Sequence, residues 1–176
     1  MFKPSIMLNK ITDIEVSDLQ KLKITTIMTD LDNTLLPWNS DEYTLSLRKW
    51  LNIMEHAGID VLVVSNNSYK RVEKAVNMLP MGIVARAKKP LPFVIKKYLR
   101  QNKIDQETVL FVGDQILTDV LAGSLSGIKT VLVKPIVETD AKKTRVNRFF
   151  ERPILKYLQI KDKNLRWKDS LHDRNE

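Results

Sequence analysis

The sequence of 176 residues contains no cysteine and only two histidines, His56 and His172. The lack of cysteine excludes disulfide bonds and thiolate chemistry. Two histidines with this spacing do not form a zinc site of any familiar ligand pattern. A metal ion bound by this chain would therefore have oxygen ligands, which favours Mg²⁺ or Mn²⁺.

Long apolar runs are also missing. Residues 1–10 contain no apolar stretch long enough for the core of a signal peptide, and no segment reaches the length that a membrane-spanning helix needs. We therefore expect a cytoplasmic protein. Its net charge of +8 fits a solvated basic surface, and it equally fits an anionic partner such as nucleic acid or an acidic membrane.

Short runs rich in Val and Ile alternate with amphipathic runs along the chain. The predicted strands are 24–29, 60–64, 82–85, 108–112 and 130–133, and the predicted helices are 43–57, 69–79, 91–102 and 117–126. This alternation predicts an α/β fold, in which a doubly wound parallel sheet of at least five strands is the middle of three layers. Ligands of such sheets bind at the carboxyl ends of the strands.

The segment after residue 134 mixes basic and apolar side chains at roughly helical spacing. Pro153 predicts the start of a second short helix there, and the polar residues beyond Ile160 predict a frayed end. The apolar side chains can pack on the sheet as a last helix or lie on an anionic membrane, and the two interpretations are not exclusive. They include Phe149, Phe150, Ile154 and Leu158.

Polar side chains stand where the predicted strands end. These are Asp30 and Asp32 after the first strand, Ser65 and Asn66 after the second, Lys89 on the approach to the next helix, and Asp114 with Asp119 after the fourth strand. Because the carboxyl ends of parallel strands share one edge of a sheet, we expect these groups to converge there.

Such a set of side chains suits phosphoryl transfer. Asp30 is the candidate nucleophile, since a covalent intermediate splits hydrolysis into two easier steps. Asp32 points to the same side of an extended chain and can protonate the leaving oxygen, then deprotonate water. Because carboxylate and phosphate repel each other, a Mg²⁺ ion completed by Asp114 should lie between them. Ser65 and Lys89 would hold the phosphoryl oxygens.

Each feature alone has another explanation. Ser65-Asn66-Asn67 could simply cap a helix, Lys89 could be a solvated lysine, and Gly113-Asp114 could be a turn. The joint occurrence of all of them, in this order and each near a strand end, is what predicts a phosphatase.

The pattern resembles all four motifs of the haloacid dehalogenase-like (HAD) phosphatases. The matching residues are Asp30, Asp32 and Thr34 in the first motif, Ser65 followed by Asn66 in the second, Lys89 in the third, and Asp114 with Asp119 in the fourth. The resemblance implies a Mg²⁺ bound by the side chain of Asp30, the main-chain oxygen of Asp32 and the side chain of Asp114. It also implies that Asp119 supports these ligands from behind, and that Ser65, Asn66 and Lys89 bind the substrate phosphate.

Members of that family often carry a cap domain, inserted between the first and second motifs or between the second and third. Here each interval has room for about one helix and one strand. We therefore expect a capless enzyme in one domain, residues 1–176, with a catalytic core at about 24–134 and a basic helical segment at about 135–176. By resemblance, an open site suits large substrates or a cover borrowed from a partner.

A closer resemblance is to the YqeG-like group of subfamily IIIA, which includes the mitochondrial phosphatidylglycerophosphate phosphatases. It rests on Asp30–Leu35 with Trp38 after it, Ser65-Asn66-Asn67, Lys89-Pro90, Gly113–Gln115 and Thr118-Asp119, with Ile11, Ile14 and Leu19 before the first strand and Thr144, Arg148 and Glu151 in the tail. This resemblance implies hydrolysis of phosphatidylglycerophosphate to phosphatidylglycerol, with peripheral contact to the inner face of an anionic membrane as one prospect.

Two alternatives stay open at this point. The same chemistry on a soluble nucleotide or sugar phosphate predicts turnover without lipid. A catalytically silent module that binds RNA or a protein partner predicts salt-dependent binding that survives Asp30→Asn. No RNA motif accompanies the charge, so nucleic acid is not the expected partner. The sequence leaves open the oligomeric state, and whether Trp38 contacts substrate or packs against the fold.

Overall fold

The structure, a computed structural model, describes residues 2–40, 42–137 and 142–171, apart from the side chains of residues 142–146. Its strands are β1 (Ile6–Leu8), β2 (Thr26–Thr29), β3 (Asp60–Val64), β4 (Gly82–Val84), β5 (Val109–Gly113), β6 (Lys129–Val133) and β7 (Trp167–Lys168). They form one seven-stranded sheet in the order β4-β3-β2-β5-β6-β1-β7, and all its strand pairs are parallel. The predicted α/β fold is confirmed.

Helices connect most of the strands. They are α1 (Val16–Lys21), α2 (Leu45–His56), α3 (Tyr69–Val76), α4 (Phe93–Gln101), α5 (Leu121–Leu125) and α6 (Lys142–Lys161), with a π-helical turn at Ile116–Val120 and 3₁₀ turns at Ile11–Asp13 and Gln106–Thr108. The described residues between the first and second predicted motifs form a loop, α2 and β3, and those between the second and third form α3 and β4.

Alternating strand side chains divide the core between the two faces of the sheet. Ile27 of β2 lies in a cluster with residues of α1, α2 and α3, whereas the next residue, Met28, lies in a second cluster with residues of α4 and α5. Successive side chains of a strand point to opposite faces, so one buried strand supports both helical layers. This explains why β2, β3 and β5 are almost entirely buried.

The starts of two helices are fixed beside strand ends by capping hydroxyls. Thr44 Oγ1 accepts a hydrogen bond from the Leu47 N–H (3.1 Å) at the start of α2, and Ser68 Oγ accepts one from the Arg71 N–H (3.4 Å) at the start of α3. Each bond satisfies a main-chain donor that the helix itself cannot satisfy. Because α2 connects the parallel strands β2 and β3, and α3 connects β3 and β4, these first turns lie at the carboxyl edge of the sheet.

The strand order reverses between β2 and β5. From β2 the chain proceeds through β3 and β4 to one side of the sheet, while β5 and β6 continue on the other side. Loops that leave β2 and β5 therefore separate, and they open a crevice at the carboxyl ends of these two strands.

The tail differs from the sequence-based expectation in two respects. Pro153 lies inside α6 and does not begin a second helix. Proline removes one helical N–H bond, but Pro153 and Phe149, whose carbonyl would have accepted that bond, are both exposed, so water can replace the missing donor. The predicted fraying beyond Ile160 is also wrong up to Leu171, because Leu165 and Leu171 are buried and β7 pairs with β1. The last part of that prediction, residues 172–176, lies outside the described residues.

Helix α6 packs against the sheet through part of its apolar residues. Ile154 and Leu158 contact the cluster of Met7, Leu132 and Leu165, as the packed alternative predicts, whereas Phe149 and Phe150 remain exposed. In the described part of the chain, no helix has the length and apolar composition needed to cross a bilayer.

We expect Leu165→Ala to lower the free energy of unfolding by about 2–5 kcal/mol, because the side chain is buried in the cluster under α6. Urea denaturation measures this change. The control is Ile160→Ala on the exposed side of α6, which should change stability by less than about 0.5 kcal/mol. Equal, small effects of both substitutions would contradict the packed tail.

Candidate active site

The nucleophile candidate Asp30 directly follows β2 and lies 8% exposed in the crevice. Its main-chain N–H donates to the Val112 carbonyl of β5 (3.0 Å), so the two strands stay paired up to the crevice. After Asp32 the chain turns sharply at Asn33, which adopts φ of 64°. Asparagine tolerates this left-handed conformation better than most residues.

Lys89, in the loop between β4 and α4, bridges two of the acidic residues. Its ammonium donates hydrogen bonds to Asp30 Oδ1 (2.6 Å) and to Asp119 Oδ1 (2.8 Å), and its side chain is almost completely buried. The ring of Phe111 lies 5.8 Å from the same Nζ, as in a cation–π contact. Lys88, in contrast, is exposed, so Lys89 is the lysine that reaches the crevice.

The side chain of Asn66 fixes the main chain of Lys89. Its Oδ1 accepts the Lys89 N–H (2.7 Å), and its Nδ2 donates to the Lys89 carbonyl (2.9 Å). Nδ2 keeps a second hydrogen, so the expected contact of Asn66 with phosphate would come from that hydrogen or from the main-chain N–H. Ser65 Oγ accepts the Asn67 N–H (3.1 Å), which leaves the hydroxyl hydrogen to be donated.

Asp32 lies on the open side of the crevice, with 35% of its side chain exposed. Its Oδ2 accepts a hydrogen bond from Asn67 Nδ2 (2.8 Å), and its Oδ1 lies 3.8 Å from a guanidinium nitrogen of Arg71. The two aspartates of the first motif thus differ in environment, because Asp30 is buried against an ammonium and Asp32 faces solvent.

Asp114 and Asp119 complete the acidic group after β5. Asp114 Oδ1 accepts the Thr34 hydroxyl (3.2 Å), which ties the β5 loop to the β2 loop. Asp119 Oδ2 accepts the Gln115 N–H (3.1 Å). A Cβ at Gly113 would collide with Asp119, so glycine is required for this close approach.

Asp30, Asp114 and Asp119 each offer a carboxylate oxygen, and these oxygens lie within 4.8 Å of one another. Burial raises the pKa of Asp30 to about 7, against the lowering effect of Lys89. Burial and the nearby Asp119 also raise the pKa of Asp114 well above its usual value. Burial tends to lower the pKa of Lys89, but Asp119 and Asp30 outweigh it and raise that pKa above its usual value.

This donor set fits a hard divalent cation. Its oxygens are carboxylates, and the raised pKa values of Asp30 and Asp114 show that burying like charges there is costly. A divalent cation would relieve that repulsion, and Mg²⁺ takes such ligands. The side chain of Asp32 does not belong to this carboxylate group, so any metal contact of Asp32 is left to its main-chain oxygen.

Arg148 and Glu151 of α6 also belong to the crevice, although the sequence analysis did not assign them to the site. Arg148 donates to the Asp114 carbonyl (2.6 Å) and to Asp114 Oδ2, and Glu151 is buried beside it. The only signal in the sequence was their membership in the tail of the YqeG-like pattern. Nothing local indicates that α6 returns to the end of β5.

Comparison with known proteins shows the family of the chain. The profile of the HAD-hydrolase-like family matches residues 86–150. The chain is 35% identical over 168 residues to the "Probable phosphatase YqeG" of Bacillus subtilis, which covers 96% of this chain and 97% of that protein. It belongs to the HAD-like hydrolase family. Within that family it is a phosphatase, which favours an enzyme over a silent binding module.

Solved structures show the same fold at low identity. A hypothetical protein from Xanthomonas campestris superposes with a TM-score of 0.53 at 18% identity, over 66% of this chain and 65% of that one. The 3-deoxy-D-manno-octulosonate 8-phosphate phosphatase from Moraxella catarrhalis, crystallised with magnesium, phosphate and KDO, gives 0.51 at 12% identity, over 80% and 98%. At these identities the likeness extends to the fold alone.

We expect Lys89→Met to lower the free energy of unfolding of the metal-free HAD-like phosphatase by about 3–5 kcal/mol, because it leaves two buried carboxylates without their cation. Denaturation in the presence of a chelator measures this change. The matched control is Lys88→Met, which alters an exposed side chain and should cost less than about 0.5 kcal/mol. The opposite ranking would show that Lys88 is the lysine of the site.

Proposed function

We propose that this phosphatase hydrolyses a phosphomonoester through an aspartyl-phosphate on Asp30, with Mg²⁺ as cofactor, and that its substrate is phosphatidylglycerophosphate. The observation that carries the chemistry is the hydrogen-bonded group of Asp30, Lys89 and Asp119, buried where the strand order reverses. Such a group places a carboxylate nucleophile beside a fixed cation in a site of low dielectric.

In the first step a carboxylate oxygen of Asp30 attacks phosphorus, and the bond between phosphorus and the ester oxygen breaks. Asp32, which faces the open side of the crevice, gives its proton to the leaving alcohol. A bound Mg²⁺, held by Asp30, Asp114 and the main-chain oxygen of Asp32, would neutralise charge between the carboxylate and the phosphoryl group.

In the second step water attacks phosphorus of the aspartyl-phosphate, and Asp32 takes the proton of that water. The acyl–phosphate bond breaks, inorganic phosphate leaves, and the carboxylate of Asp30 is restored. Lys89 and the Ser65 hydroxyl would hold the phosphoryl oxygens in both steps. The two hydrogen bonds from Asn66 keep the main chain of Lys89 in place, so its ammonium needs little rearrangement during the reaction.

Asp119 fits a supporting role in this scheme. Both of its carboxylate oxygens are already engaged, one by Lys89 and the other by the Gln115 N–H. These contacts let it orient the lysine, and we assign the metal contacts to Asp30 and Asp114, as the family resemblance implies.

The proposed lipid substrate is supported by exposed apolar residues at the carboxyl edge. Leu45, Tyr69 and Phe93 are the first residues of α2, α3 and α4, and each is more than half exposed. Phe149 and Phe150 of α6 are exposed next to Arg148, which contacts the site. We call these five residues the apolar rim. Exposed apolar residues that surround an open site suit contact with a membrane or its lipids.

Basic side chains accompany the apolar rim. Lys70 follows Tyr69, Lys96 lies one turn after Phe93, and Arg86 precedes the lysine of the site, and all three are exposed. Each Lys or Arg near an anionic bilayer contributes about 1 kcal/mol of attraction. We therefore predict an enzyme that contacts the inner face of a membrane peripherally and acts on an anionic lipid head group.

Asp30→Asn should lower phosphate release by about 10³-fold or more, because it removes the attacking carboxylate. Asp32→Asn should still be phosphorylated by p-nitrophenyl phosphate, whose leaving group needs no acid, but should then lose the phosphoryl group slowly. Intact-protein mass spectrometry of the quenched Asp32→Asn reaction should detect one added phosphoryl group. Persistent turnover by Asp30→Asn would sink the covalent mechanism.

With vesicles that contain phosphatidylglycerophosphate, Phe93→Ser should lower lipid turnover by about 10- to 150-fold, since about 1.5–3 kcal/mol of apolar burial is lost. Hydrolysis of p-nitrophenyl phosphate should stay unchanged. Met78→Ser is the control, because Met78 is equally exposed but lies in the loop between α3 and β4, at the opposite edge. Release mainly from soluble nucleotides or sugar phosphates would retain the mechanism and reject the lipid.

A further inference from the structure

Three residues of α6 contact the segment that follows β5. Arg148 Nη1 donates to the Asp114 carbonyl (2.6 Å) and Nη2 to Asp114 Oδ2. Glu151 Oε1 accepts the Leu117 N–H (2.8 Å), and Asn147 Nδ2 donates to Gln115 Oε1 (3.3 Å). Helix α6 is thus attached, residue by residue, to the loop that carries one of the acidic groups of the site.

We propose that α6 completes the metal site: Arg148 is a positioning residue that holds the carboxylate of Asp114 in its metal-binding orientation, and Glu151 holds Arg148. The inference rests on the proposed function, because it takes Asp114 to be a Mg²⁺ ligand. It extends that function by assigning a role to a helix outside the four sequence motifs.

The hydrogen bonds of Asp114 show how such positioning works. Its Oδ1 accepts the Thr34 hydroxyl and its Oδ2 accepts the guanidinium, so rotation of the carboxylate is restrained at both oxygens. Each carboxylate oxygen has about two lone-pair sites, so each keeps one for a metal ion. A ligand held in this way loses little conformational freedom on binding the ion.

The guanidinium itself is held by contacts that do not depend on the Asp114 carboxylate. Nη1 donates to the main-chain carbonyl of Asp114 and lies 3.7 Å from Glu151 Oε2. Glu151 is buried and is fixed in turn by the Leu117 N–H. Arg148 therefore need not leave when a metal ion arrives, which distinguishes a positioning residue from a cation that merely fills the site.

The planar fork of arginine is required for this arrangement. Its two nitrogens reach a carbonyl and a carboxylate oxygen of the same residue at once, which a lysine ammonium on a flexible stem does not reproduce. Anchoring of α6 alone would not need such a contact, since Glu151 and the packing of Ile154 and Leu158 already attach the helix.

The test is the affinity for Mg²⁺ alone, measured by isothermal titration calorimetry on the full chain without substrate. Removing a positive charge beside a metal site should tighten Mg²⁺ binding if electrostatics alone matters. If Arg148 positions the ligand, Arg148→Gln should instead weaken Mg²⁺ binding by about 10- to 100-fold. Arg148→Lys should also weaken it although the charge is kept, and Glu151→Gln should weaken it less.

Arg152→Gln is the matched control, because Arg152 is exposed on the same helix and the substitution removes the same charge. It should leave Mg²⁺ affinity unchanged within about 2-fold. In turnover of p-nitrophenyl phosphate, Arg148→Gln should raise the Mg²⁺ concentration needed for half-maximal rate, and saturating Mg²⁺ should restore most of the rate. Circular dichroism checks folding, and Arg148→Lys and Glu151→Gln carry the test if Arg148→Gln does not fold.

Suppose that the wild-type protein binds Mg²⁺ and turns over substrate. Unchanged or tighter Mg²⁺ binding by the Arg148 variants would then overturn the positioning role and leave the proposed function intact. A wild type that releases phosphate without any divalent ion, or that binds no Mg²⁺, would overturn the metal-dependent function and this inference together.

Discussion

The buried ammonium of Lys89 is the interaction on which the site depends. Like charges converge at the carboxyl ends of β2 and β5, and Lys89 bridges Asp30 from one strand end and Asp119 from the other. Without that bridge the buried carboxylates would repel each other, and the two loops would be pushed apart. The hydrogen bonds of Asn66 to the main chain of Lys89 bring the end of β3 into the same network.

The parallel sheet makes this convergence possible. The β2 and β5 loops leave in opposite directions, so a space opens between them. Thr34 and the Asp30 N–H tie the two strand ends together across that space. The same edge carries the starts of α2, α3 and α4, and these bring the apolar rim to the mouth of the crevice. Topology thus explains both the acidic interior and the apolar border.

Much of the site could be predicted from the sequence because its signals are local. Asp30, Ser65 and Asp114 each follow an apolar run, and the rule for parallel sheets places such residues together before any coordinates are known. The parallel arrangement of the strands and their alternation with helices could be predicted from the same apolar runs. The predicted ends of helices differ by a few residues, as expected where capping and fraying decide the boundary.

The rest could not be predicted because it depends on long-range contacts. Strand β1 has three residues and β7 has two, and they are strands only because each pairs with a distant neighbour. Arg148 reads as one more basic residue of the tail until α6 is seen to pack beside β5. Pro153 suggested a helix start because proline is common in the first turn of a helix. It is tolerated inside α6 because it faces solvent, and the local sequence does not show this.

The position of β1 in the sheet affects how the chain folds during synthesis. Strand β1 is made before the other described strands, yet its neighbours are β6 and β7, the last two of them along the chain. A ribosome-bound chain that has emerged as far as the turn at Ile116–Val120 already contains all four motifs, but it holds β1 without β6 and β7 and lacks α6, whose Arg148 contacts Asp114. Domains generally fold as units as they emerge, so translation should yield a finished catalytic crevice only once α6 and β7 have been released.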